Sequence, residues 1–238
     1  MNRMITSETY DDVIKREGLE FQIQNYFEPA DAFHRTRIEI IMNALKPEPG
    51  ESILDIGCGV GTFAFHCAKA GARATGIDYS LESIKAAKEI TARYTLPGRA
   101  DFLAGDALKL PFDDSSFDKL VAADFIEHIT DREKQALCSE MHRVLKTSGV
   151  AVIFTPNKIR EDLGLMLSTV RHYLYGRKIP FNDLHYGLIT KWEFNKILIN
   201  SGFGYKFGFY DIDRPGLARV PLLNSLLADN MLWIASKL

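Results

Sequence analysis

The sequence predicts an α/β domain, a doubly wound and largely parallel sheet with helices on both faces. Three observations carry that reading. The hydrophobic pattern switches repeatedly between a strand-like alternation and a helical recurrence from residue 52 to residue 155. A glycine turn, Gly57-Cys58-Gly59-Val60-Gly61, follows the first strand-like run. An aspartate stands where each of the first four strands ends or turns, at Asp55, Asp78, Asp106 and Asp124. Alternating strands and helices imply βαβ units, whose crossovers make the strands parallel and bring their carboxyl ends to one edge, where ligands bind.

The elements follow in order. Phe33, Arg37, Ile40, Ile41 and Leu45 recur at helical spacing, so residues 1–46 read as a helical cover ahead of the core. Ser52–Ile56 is a short apolar run ended by Gly57, and Phe63, Ala64, Cys67 and Ala68 mark the next helix. Ala74–Ile77 is the second strand, after which Ser80 serves as the N-cap of a helix. Ala100–Ala104 and Lys119–Ala123 read as strands three and four. Thr130 with Glu133 forms a capping box and opens a helix that runs to about Lys146. Val150–Thr155 is strand five, stopped by Pro156. A second capping box, Thr190 with Glu193, opens a helix ending near Gly202, and Phe203–Tyr210 and Met231–Ser236 are two late strands. Residues 157–189 and 211–229 fit no regular unit. No Pro/Gly/Ser linker sets them apart, so residues 1–238 read as a single domain with two insertions.

Composition excludes several classes. The chain has 238 residues, 46% apolar and 25% charged, with a formal net charge of -2, which is ordinary globular usage and gives no general attraction to nucleic acid. No apolar run approaches the ~18 residues of a membrane span. The stretch Met1–Asp12 carries Glu8, Asp11 and Asp12 and no apolar segment, unlike a secretion signal. Three cysteines, Cys58, Cys67 and Cys138, are odd in number and lack CxxC spacing, against a disulfide frame or structural zinc. No metal ligand set is read, and the expected setting is the cytoplasm.

The glycine turn lets a ligand approach the backbone with no Cβ in the way, beside the free N–H groups of a helix start. Its spacing is GxGxG rather than the dinucleotide pattern GxGxxG, with Thr62 in the last position. The plain alternative is a tight turn that holds nothing. For each aspartate the alternative is a helix cap. That reading is weak at Asp78, because Ser80 can cap, and at Asp106, which leads into a loop; for Asp124 both readings stand. No Lys or Arg occurs from Leu54 to Ala68. A carboxylate beside a phosphate at ~5 Å would cost roughly 3 kcal/mol at an effective dielectric of 20. A nucleoside without phosphate, carrying a positive centre, suits this edge better than a dinucleotide.

Taken in order, ILDIGCGVGTFA, GIDYS, GDALKLPFDDSSFD and DFIEHITD resemble the class I S-adenosylmethionine-dependent methyltransferases, within them the branch that includes quinone-biosynthesis and other small-molecule enzymes. The resemblance covers about Gly50–Thr155, and Leu188–Phe203 more loosely. It implies a seven-stranded sheet in the order 3-2-1-4-5-7-6 with the last strand antiparallel. It also implies a set of cofactor contacts. Asp55 and the turn of Gly57, Cys58, Gly59 and Gly61 would hold the methionine part, Asp78 both ribose hydroxyls, and Tyr79 the adenine ring. Asp106 and the N–H of Ala107 would read the adenine edge, and Asp124 and Phe125 would flank the sulfonium. The catalytic candidates are His128, His185 and Glu127, any of which can take a proton from the acceptor. Cys58, small and between two glycines, has no nucleophilic role.

The insertions bear on the acceptor. Leu163, Met166, Leu167, Val170 and Leu174 form an apolar stripe, with Arg160, Arg171, Arg177 and Lys178 around it. Residues 211–229 add Leu217, Val220, Leu222, Leu223, Leu226 and Leu227. Both stretches leave from the ligand edge, so they either cover the core, close as a lid over a small and partly hydrophobic acceptor, or touch a membrane surface through 157–189. The alternatives to methyl transfer are a cofactor-binding module without catalysis and a nucleotide-dependent oxidoreductase.

Overall fold

The computed structural model describes residues 7–175, 185–212, 226 and 228–237. Seven strands form one sheet: β1 (Ser52–Ile56), β2 (Arg73–Asp78), β3 (Arg99–Ala104), β4 (Phe117–Ala123), β5 (Leu145–Pro156), β6 (Phe203–Tyr210) and β7 (Asn230–Lys237). Their order is β3-β2-β1-β4-β5-β7-β6. The first five run parallel, and β7 is antiparallel to both β5 and β6. Both the order and the reversed last strand are those expected.

Helices cover both faces. On one side α2 (Ala32–Leu45), α3 (Thr62–Lys69) and α4 (Leu81–Thr91) pack Ile41, Leu45, Cys67 and Ala87 against Ile53, Val121 and Val152. On the other, α5 (Asp131–Val144) and α7 (Lys191–Asn200) bury Leu137, Met141, Phe194 and Leu198 against Leu54, Leu120 and Trp233. The caps of α4, α5 and α7 are those read in the sequence: Ser80 accepts from Ser83 N–H, and Thr130 and Thr190 form complete capping boxes. A third apolar cluster lies outside the sheet. There Ile23 and Phe27, in a π-helical turn (Ile23–Phe27) after α1 (Ser7–Gln22), meet Val60, Phe65 and Ile90. This contact draws the N-terminal cover over the glycine turn.

The elements differ from the sequence reading at several boundaries, most at β5, which starts at Leu145 rather than Val150. The helix opened by Thr130 stops at Val144 rather than near Lys146, because Leu145 is fully buried and begins β5 opposite Phe117. Within 157–189, where no regular unit was expected, Lys158–Tyr175 forms one 18-residue helix, α6. In α2, Ile38, Ile41 and Leu45 are the buried positions, whereas Phe33 is exposed and Arg37 serves the site described below. No helix among the described residues is long and apolar enough to cross a membrane.

Candidate active site

A cavity of about 790 Å³ lies at the carboxyl ends of β1, β2 and β4, with α1 and α2 contributing to its wall. The glycine turn is pinned to the neighbouring strand: Cys58 N–H donates to Ile77 O at 3.0 Å, and Gly61 N–H to Cys58 O at 2.8 Å. Gly57, Gly59 and Gly61 all have positive φ, at 65°, 52° and 89°. A Cβ on Gly57 would come within 2.3 Å of the Phe125 ring, and one on Gly61 within 2.5 Å of Phe102. At Gly59 nothing lies within 4 Å of the missing Cβ. Two glycines are therefore required by packing, while the third leaves bare backbone facing open space.

The acids at the strand ends occupy different environments. Asp55 is buried at the end of β1 and accepts Ala64 N–H at 3.0 Å, and burial pushes its carboxyl up to about 7. Asp78 accepts Gly59 N–H and Ser80 N–H, each at 2.8 Å and each on a different oxygen. Burial raises its pKa, and the two N–H donors oppose the rise. Asp106 accepts Leu108 N–H at 2.8 Å in the loop after β3. Asp124 is not a helix cap. It sits at φ 51° with its N–H donated to Phe154 O, and its carboxylate pairs with the Arg37 guanidinium. Tyr79 is 69% exposed at the rim. The buried Cys58 thiol is raised well above its usual range, in keeping with an inert role.

Arg37 is the residue that sequence reasoning missed. The absence of basic residues from Leu54 to Ala68 holds along the chain, yet α2 delivers a guanidinium to the same edge. Arg37 also lies over the Phe63 ring, 5.2 Å from its centroid. The available signal was an arginine inside an otherwise apolar helical stripe.

The three catalytic candidates come together. Glu127 and His128 sit in a short 3₁₀ turn (Ile126–His128) after β4, and His185 reaches them from the far end of the 157–189 stretch. The two imidazole rings meet edge to face at 5.3 Å. Glu127 is buried and accepts the Thr155 hydroxyl at 2.9 Å; burial, then the Asp124 charge, raises its carboxyl to about 8. Burial, then His128, lowers the pKa of His185. His128 lines the cavity; Glu127 and His185 stand behind it.

Asp55, Gly57, Cys58, Gly59, Asp78 and Tyr79 line the cavity on the β1–β2 side. Asp106, Ala107, Asp124 and Phe125 line it from the turns after β3 and β4, and Gly61 stands behind the wall. Most of the leucines expected to form a lid lie outside the described residues. From α6 only Glu161 reaches the wall among the described residues, while Leu165, Met166 and Leu167 are exposed away from it. Arg160 pairs instead with Asp229 at 3.4 Å. Leu226 is exposed; Arg177, Lys178, Leu217, Val220, Leu222, Leu223 and Leu227, with the side chains of Val170, Arg171 and Leu174, lie outside the described residues.

The family described as "Methyltransferase domain" matches residues 53–149, from β1 into β5. A probable S-adenosylmethionine-dependent methyltransferase of Mycolicibacterium smegmatis is 31% identical over 154 residues, covering 65% of this chain and 52% of that protein. Residues 53–149 are thus a methyltransferase domain, similar to those of S-adenosylmethionine-dependent methyltransferases. Norajmaline N-methyltransferase of Rauvolfia serpentina is 40% identical to this methyltransferase domain over 106 residues, 44% of this chain and 36% of that enzyme. Among solved structures, a SAM-dependent methyltransferase from Methanosarcina mazei superposes with a TM-score of 0.61 at 25% identity, over 84% of this chain and 97% of that one. The matched stretch spans no more than about half the length of these curated relatives. Other relatives over the same stretch are named as O- and C-methyltransferases, so the methyltransferase domain is shared across acceptor atoms.

Proposed function

We propose that the protein transfers the methyl group of S-adenosylmethionine to a small, partly apolar acceptor by in-line displacement. The observation that carries this reading is the two-ended lining of the cavity. The β1–β3 end offers bare backbone at Gly59 with the carboxylates of Asp55, Asp78 and Asp106, while the β4–β5 end sets Phe125, Ile129, Pro156 and Tyr186 beside His128 and the acids Asp124, Glu133, Glu161 and Asp229. The open space at Gly59 is the feature that fits a cofactor, since any side chain there would project into it. Asp55 and the 57–61 turn hold the methionine part. Asp78 takes the ribose hydroxyls with the lone pairs that the Gly59 and Ser80 N–H groups leave over. Tyr79 packs on the adenine, and Asp106 with Ala107 N–H reads its edge. Arg37, the one Lys or Arg among the described lining residues, supplies the counter-charge for the methionine carboxylate. Asp124 and Phe125 flank the sulfonium.

When bound, S-adenosylmethionine supplies an electrophilic methyl group, so the protein's task is alignment and exclusion of water. Phe33, Tyr26 and Ile14 from the N-terminal cover line the cavity with Phe125 and Ile212 and present apolar surface to it. This apolar lining favours an acceptor with hydrophobic area. His128 faces the acceptor, and Glu127 and His185 support it from behind the wall. Three unpaired, buried cysteines suit the reducing cytoplasm expected from the sequence. The test is a turnover assay with methyl-labelled cofactor against pools of small aromatic, prenyl-like and polar acceptors. Label transferred to an apolar-rich acceptor is the expected result. Tight cofactor binding with no transfer to any pool would leave a binding module.

A further inference from the structure

We propose that Glu127, His128 and His185 form a binding site for a divalent transition-metal cation at the acceptor end of the cavity. Each side chain offers one ligand atom, and these atoms all lie within 4.8 Å of one another. Donors sharing one ion at ~2.1 Å stand roughly 3–4 Å apart, so small side-chain rotations close the set. The donor type is selective. Two imidazole nitrogens and one carboxylate oxygen suit zinc, manganese, iron or cobalt, whereas magnesium and calcium prefer all-oxygen sites.

Two further observations point to a ligand there. Glu127 is 1% exposed, and its Oε1 has no hydrogen-bond partner among the described residues, while Thr155 serves Oε2. A buried carboxylate oxygen left bare is costly unless a positive group meets it, and the guanidinium of Arg37 pairs with Asp124 and makes no hydrogen bond to Glu127 among those described. The segment carrying His185 is also built to lie against this turn. Gly187 N–H donates to Glu127 O at 2.8 Å, and a Cβ on Gly187 would come within 2.0 Å of Ile129 O. Glycine at 187 lets the backbone dock directly, which holds His185 beside Glu127 and His128, 58 and 57 positions earlier in the chain.

Three protein ligands leave coordination positions open. His128 lines the cavity, so those positions face the space where the acceptor would lie. An acceptor oxygen or nitrogen bound to the ion is oriented and made more acidic. That consequence rests on the methyl-transfer reading; the binding of the ion does not.

The experiment uses the purified full chain, stripped with a chelator and titrated with Co²⁺ alone, followed by visible absorption and calorimetry. One ion per chain is expected, with affinity weakened ~10-fold or more in both His128→Ala and His185→Ala, and with millimolar Mg²⁺ failing to compete. Glu127→Gln is a third variant; should it not fold, the two histidine variants decide. Calorimetry with S-adenosylhomocysteine on every protein monitors folding and the cofactor end. Co²⁺ affinity equal in parent and histidine variants, or no binding at all, overturns the site even if the nucleoside binds. Co²⁺ binding without nucleoside binding supports the site and removes the methyl-transfer reading instead.

Discussion

The guanidinium of Arg37 on α2 pairs with the carboxylate of Asp124 at the turn after β4. The Arg37 side chain is 12% exposed and that of Asp124 35%, so the pair is partly buried and ties the N-terminal cover to the edge of the sheet that carries the cavity. It offsets the charge of one of the four acids and fixes a guanidinium in the cavity wall.

Arg37→Ala is therefore expected to weaken binding of S-adenosylhomocysteine by ~1.5–3 kcal/mol, the usual worth of a hydrogen bond to a charged group. Arg37→Lys should recover part of the loss, because lysine keeps the charge without the planar fork. Isothermal calorimetry reads both. An unchanged affinity in Arg37→Ala would detach this residue from the cofactor.

Asp78 holds the end of β2 to the glycine turn and faces the cavity. Asp78→Ala should cost ~2–4 kcal/mol of cofactor affinity through two lost charge-assisted hydrogen bonds. NAD should bind neither protein, since its pyrophosphate would meet Asp55 and Asp78. Measurable NAD binding to the parent would count against the whole electrostatic reading of the edge.

Asp55 makes the empty protein sensitive to pH. Its folded carboxyl titrates at about 7 against an ordinary 3.8, because burial disfavours the charge. Between those values the folded state holds a proton that the unfolded chain has released, so stability is full at the acid end and falls as pH rises. Taken alone the loss is on the order of 4 kcal/mol by the time pH passes the folded value. Asp55→Asn keeps an acceptor for Ala64 N–H and removes the titration. Urea midpoints measured from about pH 4.5 to about 7.5 should fall less steeply in the variant than in the parent; parallel curves would refute the assignment.

Gly57→Ala combines two penalties, a left-handed φ and a Cβ inside the Phe125 ring. Each costs ~1–3 kcal/mol. The expected result is a Tm lower by roughly 5–20 °C with cofactor binding also impaired, because Phe125 must move. Gly59→Ala has the same backbone sign but open space around the new methyl. It should lose less stability and a comparable amount of affinity, and scanning calorimetry with and without S-adenosylhomocysteine separates the two.

What the sequence by itself determined is everything written in neighbouring residues. The switching period laid out seven strands with β1 and β6 at their observed ends, the Thr130 and Thr190 capping boxes started two helices in place, and the glycine turn with four aspartates marked the ligand edge. These signals are local: backbone dihedrals, alternation and caps act within a few residues. α6 was only half legible, since its apolar stripe was visible while its helix depends on what the chain packs against. The tertiary structure alone decided the rest. It turned Arg37 from a core position into a charge in the site, made Asp124 an ion-pair partner instead of a cap, and showed Leu167 exposed rather than over the cavity. It also gathered Glu127, His128 and His185, which the chain lists as separate candidates, into one cluster. Charge and coordination act through space over a few ångströms, and which distant residues come that close is set by packing of the assembled sheet and helices, not by spacing along the chain.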